Sequence, residues 1–390
     1  MLTQAFAEAL AEAEKLIAGA PFVASEQDLA EGYEYLAGSI QASLRLAWAY
    51  QRDFPYFVQS TGPYTKMGLD NPDTLYFHAY LRDDAEYVVT GRRGSTADLS
   101  FQVLKGDYSP VEVPDSLSAF DDRAIEVDAN GTFELRFGPS ASGRNSFRLG
   151  AGSSMLLVRE VYSDWAAERR GTISIRRADR AGCAPPPEGV SRQAKRYGAA
   201  GKILLSRLRT FLAFPEWFYL NLPVNTMTPP RRTPGGLATQ FSSAGHYRLA
   251  GDEAMIVTVP AAPREVAPYQ GIQLGSMWYV SLDYINHQTS LTADQAVASP
   301  DGLLRFVICE RDPGVANWLE TTGHQRGYVQ IRWQQLTRNL GPDDGPQVEV
   351  VPFADLPARL PYAGQARVTP AEWAQRIAAR QAAVADRMLG

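Results

Sequence analysis

Hydrophobic positions at the start of the chain recur every three to four residues. Phe6, Leu10, Leu16 and Ile17 predict a short amphipathic helix within 3–18, and Leu29, Tyr33, Leu36, Ile40, Leu44 and Trp48 predict a second that runs to about Asp53 and stops near Pro55. Ser25 and Asp28 resemble a capping box at the start of the second helix. From Thr74 the period shortens to two. Tyr76, His78 and Tyr80 alternate with Leu75, Phe77, Ala79 and Leu81, so a strand here places both tyrosines and the histidine on one face. Segments 87–90, 99–104, 124–128, 132–137, 154–162 and 172–177 read as strands too. Asn130-Gly131 is a two-residue hairpin signal, because both central positions of that turn need positive φ.

Consecutive prolines at 185–187 end this region, since they continue neither a helix nor a sheet ladder. A helix is predicted over 191–212, followed by a Pro/Gly/Thr-rich connector at 226–236. Strands are then expected at 254–259, 278–284, 303–310, 328–333 and 348–353, and a closing helix at 370–388 with Pro near its start and Gly at its end. The expected organisation is an N-terminal helical segment (1–60), a first β-sandwich (61–182), a helical and Pro-rich connector (183–236), a second β-sandwich (237–360) and a C-terminal helix (361–390). The predicted fold class is mainly β: two jelly-roll-like antiparallel β-sandwich domains with helices at the N-terminus, between the domains and at the C-terminus.

The length of 390 residues exceeds what one core usually serves, in keeping with two domains. A net charge of -5 gives no global attraction to nucleic acid or anionic membranes. The basic residues Arg192, Lys195, Arg196, Lys202, Arg207 and Arg209 read as a solvated helix face, because no aromatic interleaving or second basic cluster accompanies them. The first residues carry Glu8, Glu12 and Glu14 without an early basic group, unlike a secretory signal, and no uncharged apolar run of about twenty residues occurs. A soluble, cytoplasmic protein without a membrane span is expected. Cys183 and Cys309 are too few for a disulfide framework, and Cys309 reads as a buried inert thiol.

Absent motifs narrow the chemistry. There is no phosphate loop, Gly150-Ala151-Gly152 lacks the third glycine of a dinucleotide turn, and no Gly-x-Ser-x-Gly elbow is present. Neither His-Glu-x-x-His nor paired Cys-x-x-Cys occurs, and His78, His246, His287 and His324 are far apart in sequence, so neither an organic cofactor nor a metal is expected. What remains is a cluster at 283–288. Asp283 and His287 either form an oriented acid-base pair or cap backbone amides around a turn, with Tyr284 as a further donor. Tyr328, Gln330 and Arg332 share one strand face that lines a cavity or meets solvent; in a cavity, Tyr328 donates a proton and Arg332 holds an oxygen. Arg305 is a candidate buried guanidinium that either contacts substrate or pairs with Asp283 or Asp312. Asn71, in the turn Asp70-Asn71-Pro72-Asp73, joins Tyr76 and His78 in a second polar-aromatic group, and Trp278 and Trp318 serve as ligand platforms or core anchors.

The C-terminal block from Trp278 through Ser281-Leu282-Asp283-Tyr284, His287-Gln288-Thr289-Ser290-Leu291, Asp312-Pro313-Gly314, Asn317-Trp318-Leu319, Gly323-His324 and Arg332-Trp333 to Val351-Pro352-Phe353 resembles the bacterial family filed as domain of unknown function 1214. Glu31-Gly32-Tyr33, Asp70-Asn71-Pro72-Asp73, Gly91-Arg92-Arg93-Gly94 and Leu156-Leu157-Val158-Arg159-Glu160 extend the likeness upstream. The resemblance implies a β-rich protein of paired jelly rolls, often joined to a companion domain numbered 1254, and carries over no catalytic residue. Phe77-His78 and Asn145-Ser146 depart from some relatives. The functional expectation is a cofactor-independent enzyme of hydrolase, lyase or isomerase type, acting by acid-base chemistry on a small apolar or aromatic molecule. The alternatives are a non-catalytic glycan- or lipid-binding module and a self-assembling structural protein, and a homo-oligomer is compatible with each.

Overall fold

The computed structural model describes residues 1–106, 115–218, 220–232, 239–361, 364 and 366–389. Two helices come first, α1 (Gln4–Ala18) and α2 (Glu26–Ala49). The capping box forms as the sequence implies: Asp28 N donates to Ser25 Oγ at 3.0 Å, and Ser25 N donates to Asp28 Oδ2 at 3.1 Å. Nine strands follow: β1 (Val58–Thr61), β2 (Thr74–Tyr80), β3 (Tyr87–Arg92), β4 (Asp98–Lys105), β5 (Asp115–Asp121), β6 (Thr132–Gly138), β7 (Ser146–Arg148), β8 (Ser153–Val161) and β9 (Thr172–Arg177). They form two sheets, ordered β1-β2-β8-β4-β5 and β7-β6-β3-β9. Phe101, Val103, Leu156 and Val158 of the first sheet meet Val89, Phe133, Leu135 and Phe137 of the second in one buried core, so the pair is a sandwich.

The chain then forms α3 (Val190–Phe218), longer than its sequence pattern predicts, which packs against α1 and α2. Their shared core includes Ile17, Tyr35, Leu36, Leu204 and Leu208. The second sandwich contains β10 (Thr226–Met227), β11 (Arg231–Arg232), β12 (Phe241–Arg248), β13 (Glu253–Pro260), β14 (Tyr269–Gly275), β15 (Ser290–Thr292), β16 (Leu303–Cys309), β17 (Trp318–Glu320), β18 (Arg326–Gln334) and β19 (Gln347–Pro352). Its larger sheet runs β10-β12-β18-β14-β15 with β11 beside β12, and its smaller sheet runs β17-β16-β13-β19. Ile272, Val329, Ile331 and Trp333 face Met255, Val257, Phe306 and Ile308 across the core. A one-turn helix, α4 (Leu356–Arg359), and the long α5 (Pro370–Leu389) close the fold. Part of the predicted connector, 233–236, lies outside the described residues. None of the helices among those residues is long and apolar enough to cross a membrane.

Two expected strands need correction, while the mainly antiparallel sandwich class holds. Pairing is antiparallel except for β6 with β7 and β16 with β17, which run parallel. Residues 124–128 form no strand; a short 3-10 turn covers 122–124. The segment 278–284 is a loop too. Ser276 N donates to Val280 O at 2.9 Å and Tyr279 N to Ser276 O at 3.0 Å, folding the chain back on itself with Tyr279 at φ 58. That reversal throws Trp278 into the helical core, where its Nε1 donates to Asp28 O at 2.7 Å. Only glycine fits opposite it on α2, since a Cβ at Gly32 would lie 2.3 Å from the indole.

The sandwiches meet across the turn at 69–73. Leu69 N donates to Tyr279 O at 2.5 Å, and Gln273 Nε2 to Asp70 O at 2.9 Å. Asp70 accepts from Ser281 N at 3.0 Å and Ser281 Oγ at 2.8 Å, while Asp73 accepts from Tyr269 OH and Trp165 Nε1, both at 2.7 Å. A second seam forms where Gln335 Nε2 donates to Asp98 Oδ1 at 2.8 Å and to Asp122 Oδ1 at 2.6 Å. Asp98 is fully buried, and among the described residues its Oδ2 has no hydrogen-bond partner.

Burial pushes the Asp98 carboxyl up to about 7 against the amide of Gln335, and the carboxylates of Asp122 and Asp121 push the same way. Between its ordinary value of 3.8 and about 7, the unfolded chain ionises this group while the folded chain keeps it protonated. Its contribution is therefore fully present below 3.8 and lost as pH rises through about 7. Asp98→Asn, which cannot ionise, is expected to flatten this fall: thermal melts at pH values from 5 to about 8.5 should show the variant gaining on the parent as pH rises.

Candidate functional site

Where α2, the 63–66 loop, the 276–287 loop and the turn at 322–324 come together, they leave a cleft of about 590 Å³. That volume suits a small molecule. Both sandwiches and the helical layer contribute to its wall. The apolar part is Tyr35, Pro63, Val280, Leu282 and Tyr284, with Tyr64 at 74% exposure beside the opening. Its polar part is Glu31, Glu34, Lys66, Asp283, Asn286, His287 and His324.

Lys66 reaches in from the first sandwich. Its Nζ donates to Ser281 O at 2.7 Å and Leu282 O at 2.8 Å and lies 5.2 Å from the centre of the Tyr284 ring. Burial pulls its pKa below the usual lysine value, against the carboxylates of Asp70, Asp283, Glu31 and Glu34. Asp70 itself is pushed up by burial, against Lys66 and the two hydrogen bonds from Ser281. On the far side, His324 Nδ1 donates to Thr321 O at 2.7 Å and its Nε2 lies 2.8 Å from Glu31 Oε1. The Thr321 carbonyl can only accept, so Nδ1 carries a proton, and the Glu31 carboxylate beside Nε2 favours a proton there too, and with it a positive charge. Burial opposes that charge, but Glu31 and the Thr321 carbonyl outweigh it and hold the pKa above its ordinary value.

Two sequence-predicted partners line the cleft without pairing. Asp283 Oδ1 accepts from Ile285 N at 2.9 Å and Asn286 N at 3.1 Å, and its Oδ2 accepts from Asn286 Nδ2 at 2.8 Å. Burial works against its ionisation, yet these bonds hold the carboxyl below its usual range. Asp283 therefore caps the turn, and His287 is oriented by another residue. Its Nδ1 lies 2.9 Å from Glu320 Oε2, while Glu320 Oε1 accepts from Gln288 N at 2.7 Å. The arrangement fixes the ring by one nitrogen. Among the described residues Nε2 has no partner, and the His287 side chain is 44% exposed. Tyr284 also lines the cleft, with burial raising its pKa far above that of an ordinary phenol.

Other predicted site residues lie elsewhere. Tyr328 is buried against Leu69, Phe211, Phe214 and Tyr279, and Arg332 donates to Gln273 Oε1 and Leu69 O, so the polar face of β18 meets α3 and the first sandwich rather than a cavity or solvent. Arg305 pairs with Asp301 at 2.7 Å, not with Asp283 or Asp312. Trp278 is a core anchor, as described; Trp318 is another, its Nε1 donating to Cys309 O at 2.9 Å. Asn71 lies in the interdomain turn and Tyr76 on β2 beside it; Asn71 Nδ2 donates to Tyr269 OH at 2.9 Å and Asn71 N to Tyr76 OH at 3.0 Å. His78 is buried 2.9 Å from Ser60 Oγ, and burial, with the charges of Arg207 and Arg159, drives its pKa down to about 3. Burial likewise pushes the Cys309 thiol up to about 12.

Sequence reasoning missed Lys66, Glu320 and the Glu31–His324 pair. One signal existed for Lys66: only five of the 38 basic residues are lysine, and this one stands between Gly62-Pro63 and Gly68 in a loop-type segment. Glu320 gave no signal, since its partner lies 33 residues away. Behind Tyr284 the wall is backed by α5. Arg380 donates to Tyr284 O and Ser290 O, and its guanidinium lies 4.3 Å from the centre of the Trp165 ring.

No protein-family model and no curated protein matches the chain. Among solved structures, an uncharacterized protein from Burkholderia cenocepacia is similar at 26% identity and a TM-score of 0.80, over 90% of this chain and 96% of that one. A protein from Vibrio parahaemolyticus aligns at 13% identity and a TM-score of 0.46, over 82% of this chain and 98% of that one.

Because Glu31 sustains the His324 charge, folding takes up a proton there. The associated stability is fully present below pH 6.5 and is lost as pH rises through the elevated folded value. In Glu31→Gln the His324 ring is expected to titrate lower than in the parent, read from its ring-nitrogen shifts by NMR; an unchanged midpoint would show that Glu31 does not hold the charge.

Proposed function

We propose that the chain is a cofactor-independent enzyme that performs acid-base chemistry on a small, largely apolar or aromatic molecule in this cleft. The observation that carries the reading is the Glu320–His287 pair: a carboxylate fixes one nitrogen of a ring that lines a cavity of suitable size. In this reading His287 Nε2 accepts or delivers the proton, and Lys66 holds a substrate oxygen by the N–H not engaged with Ser281 O and Leu282 O. The Tyr35, Tyr64 and Tyr284 rings then supply apolar contact. Hydrolase, lyase and isomerase chemistry all fit this machinery. The same proposal includes membership of the domain-of-unknown-function-1214 family, supported by the ordered motifs in the sequence, and a cytoplasmic location.

A second reading, a binding module for glycans, draws on the exposed Tyr64 ring and the amides of Asn286 and Gln41 lining the same cleft, since flat aromatic surface with amides suits sugars. The two separate on one experiment. Metabolites that raise the melting temperature of the protein are identified and tested for turnover in the parent, His287→Ala and Glu320→Gln. The enzyme reading expects His287→Ala to lower kcat by roughly 10²–10⁴-fold, the range of general acid-base catalysis, with little change in ligand affinity. Glu320→Gln should lower it less. A stabilising ligand that undergoes no reaction in the parent would favour the binding module; a turnover left within a few-fold in His287→Ala would remove that residue's role.

A further inference from the structure

Four of the five lysines, Lys15, Lys105, Lys195 and Lys202, are exposed. Lys66 alone is half-buried in a wall of the cleft. Its nitrogen is tetrahedral, and two of its bonding directions are fixed by the carbonyls of Ser281 and Leu282 at 2.7 and 2.8 Å. An ammonium so held keeps a third proton for an oxygen. A neutral amine donates its two protons to the same two carbonyls and keeps its lone pair free, so the anchoring does not require charge. Burial favours the neutral form. The opposing carboxylate of Asp70 is engaged by Ser281 N and Oγ. Asp283, Glu31 and Glu34 also act on Lys66, and of these Asp283 is tied to its own turn and Glu31 to His324.

We propose that Lys66 is a carbonyl-condensing residue, whose Nζ forms an imine with an aldehyde or ketone held in the cleft. This rests on the reading of the cleft as a small-molecule site and names its substrate class as a carbonyl compound. The nitrogen lone pair attacks the carbonyl carbon while the C=O π pair moves to oxygen, which takes a proton. Nζ then loses a proton, the hydroxyl departs as water on protonation by a cleft acid, and the nitrogen pair closes the C=N bond. His287, fixed by Glu320, supplies the imidazole for those transfers. No oxidant or reductant enters the sequence. The resulting iminium would acidify the neighbouring carbon of the substrate, the step that lyase and isomerase chemistry requires.

The test uses salicylaldehyde as a probe, with cyanoborohydride to reduce any imine to a stable secondary amine, and peptide mapping by mass spectrometry at neutral pH. Lys66 is expected to be labelled at least about tenfold faster than the four exposed lysines. In Lys66→Met, checked for folding by its melting curve, the fast adduct should vanish while slow surface labelling persists. Labelling of Lys66 in the parent at a rate no greater than that of Lys15, Lys105, Lys195 and Lys202 would overturn the proposal, and needs no variant to be read. If Lys66 fails this test while His287→Ala still abolishes turnover of a cleft ligand, the imine falls and the acid-base reading stands. If neither effect is seen, both fall.

Discussion

Two buried carboxylates in one short turn hold this molecule together. Asp70 and Asp73 project from the first sandwich into the second and the segments flanking it, where Ser281 engages one and Tyr269 the other, while Trp165 of the first sandwich adds a bond to Asp73. A carboxylate taken out of water is unfavourable unless its lone pairs are filled. The two sandwiches therefore dock in one register, because any slip leaves those oxygens unpaired. Asn71, between them, adds its own bond to Tyr269.

The cleft is a by-product of that docking. The turn forces Leu69 against Tyr279, and both adopt left-handed backbone, at φ 49 and φ 58. Thr322, a β-branched residue in the cleft wall, stands at φ 51. Such conformations are unfavourable for these side chains and persist where surrounding contacts over-determine them. A strained residue in the wall, with a half-buried lysine and two imidazole–carboxylate pairs, sets this region apart from the sandwich cores, which are packed with apolar side chains.

Much of the architecture was legible in the chain. Period-two segments gave the strands β2, β6, β8, β13, β16 and β18, the capping box gave the start of α2, and the mainly β class followed. The loop at 278–284 was not, because its residues have strand propensity and only the tertiary pull of the helical core on Trp278, opposite Gly32, reverses the chain there. At the site, Asp283, Tyr284 and His287 were rightly gathered into one neighbourhood, yet their partners were misassigned. Sequence proximity suggested Asp283 for His287, whereas the ring's orienting carboxylate comes from β17. The alternation in β18 showed that Tyr328 and Arg332 share a face; it carries no information on what that face meets, and it meets the other domain.

The contribution of α5 has a consequence for the order in which the protein matures. Arg380 grips the backbone of Tyr284 and Ser290 and lies over Trp165, so α5 braces from behind a wall drawn from 31–66, 276–287 and 322–324. On the ribosome, both sandwiches are complete before that brace has emerged. The cleft wall at Tyr284 is therefore braced only once α5 has emerged, later than either sandwich alone.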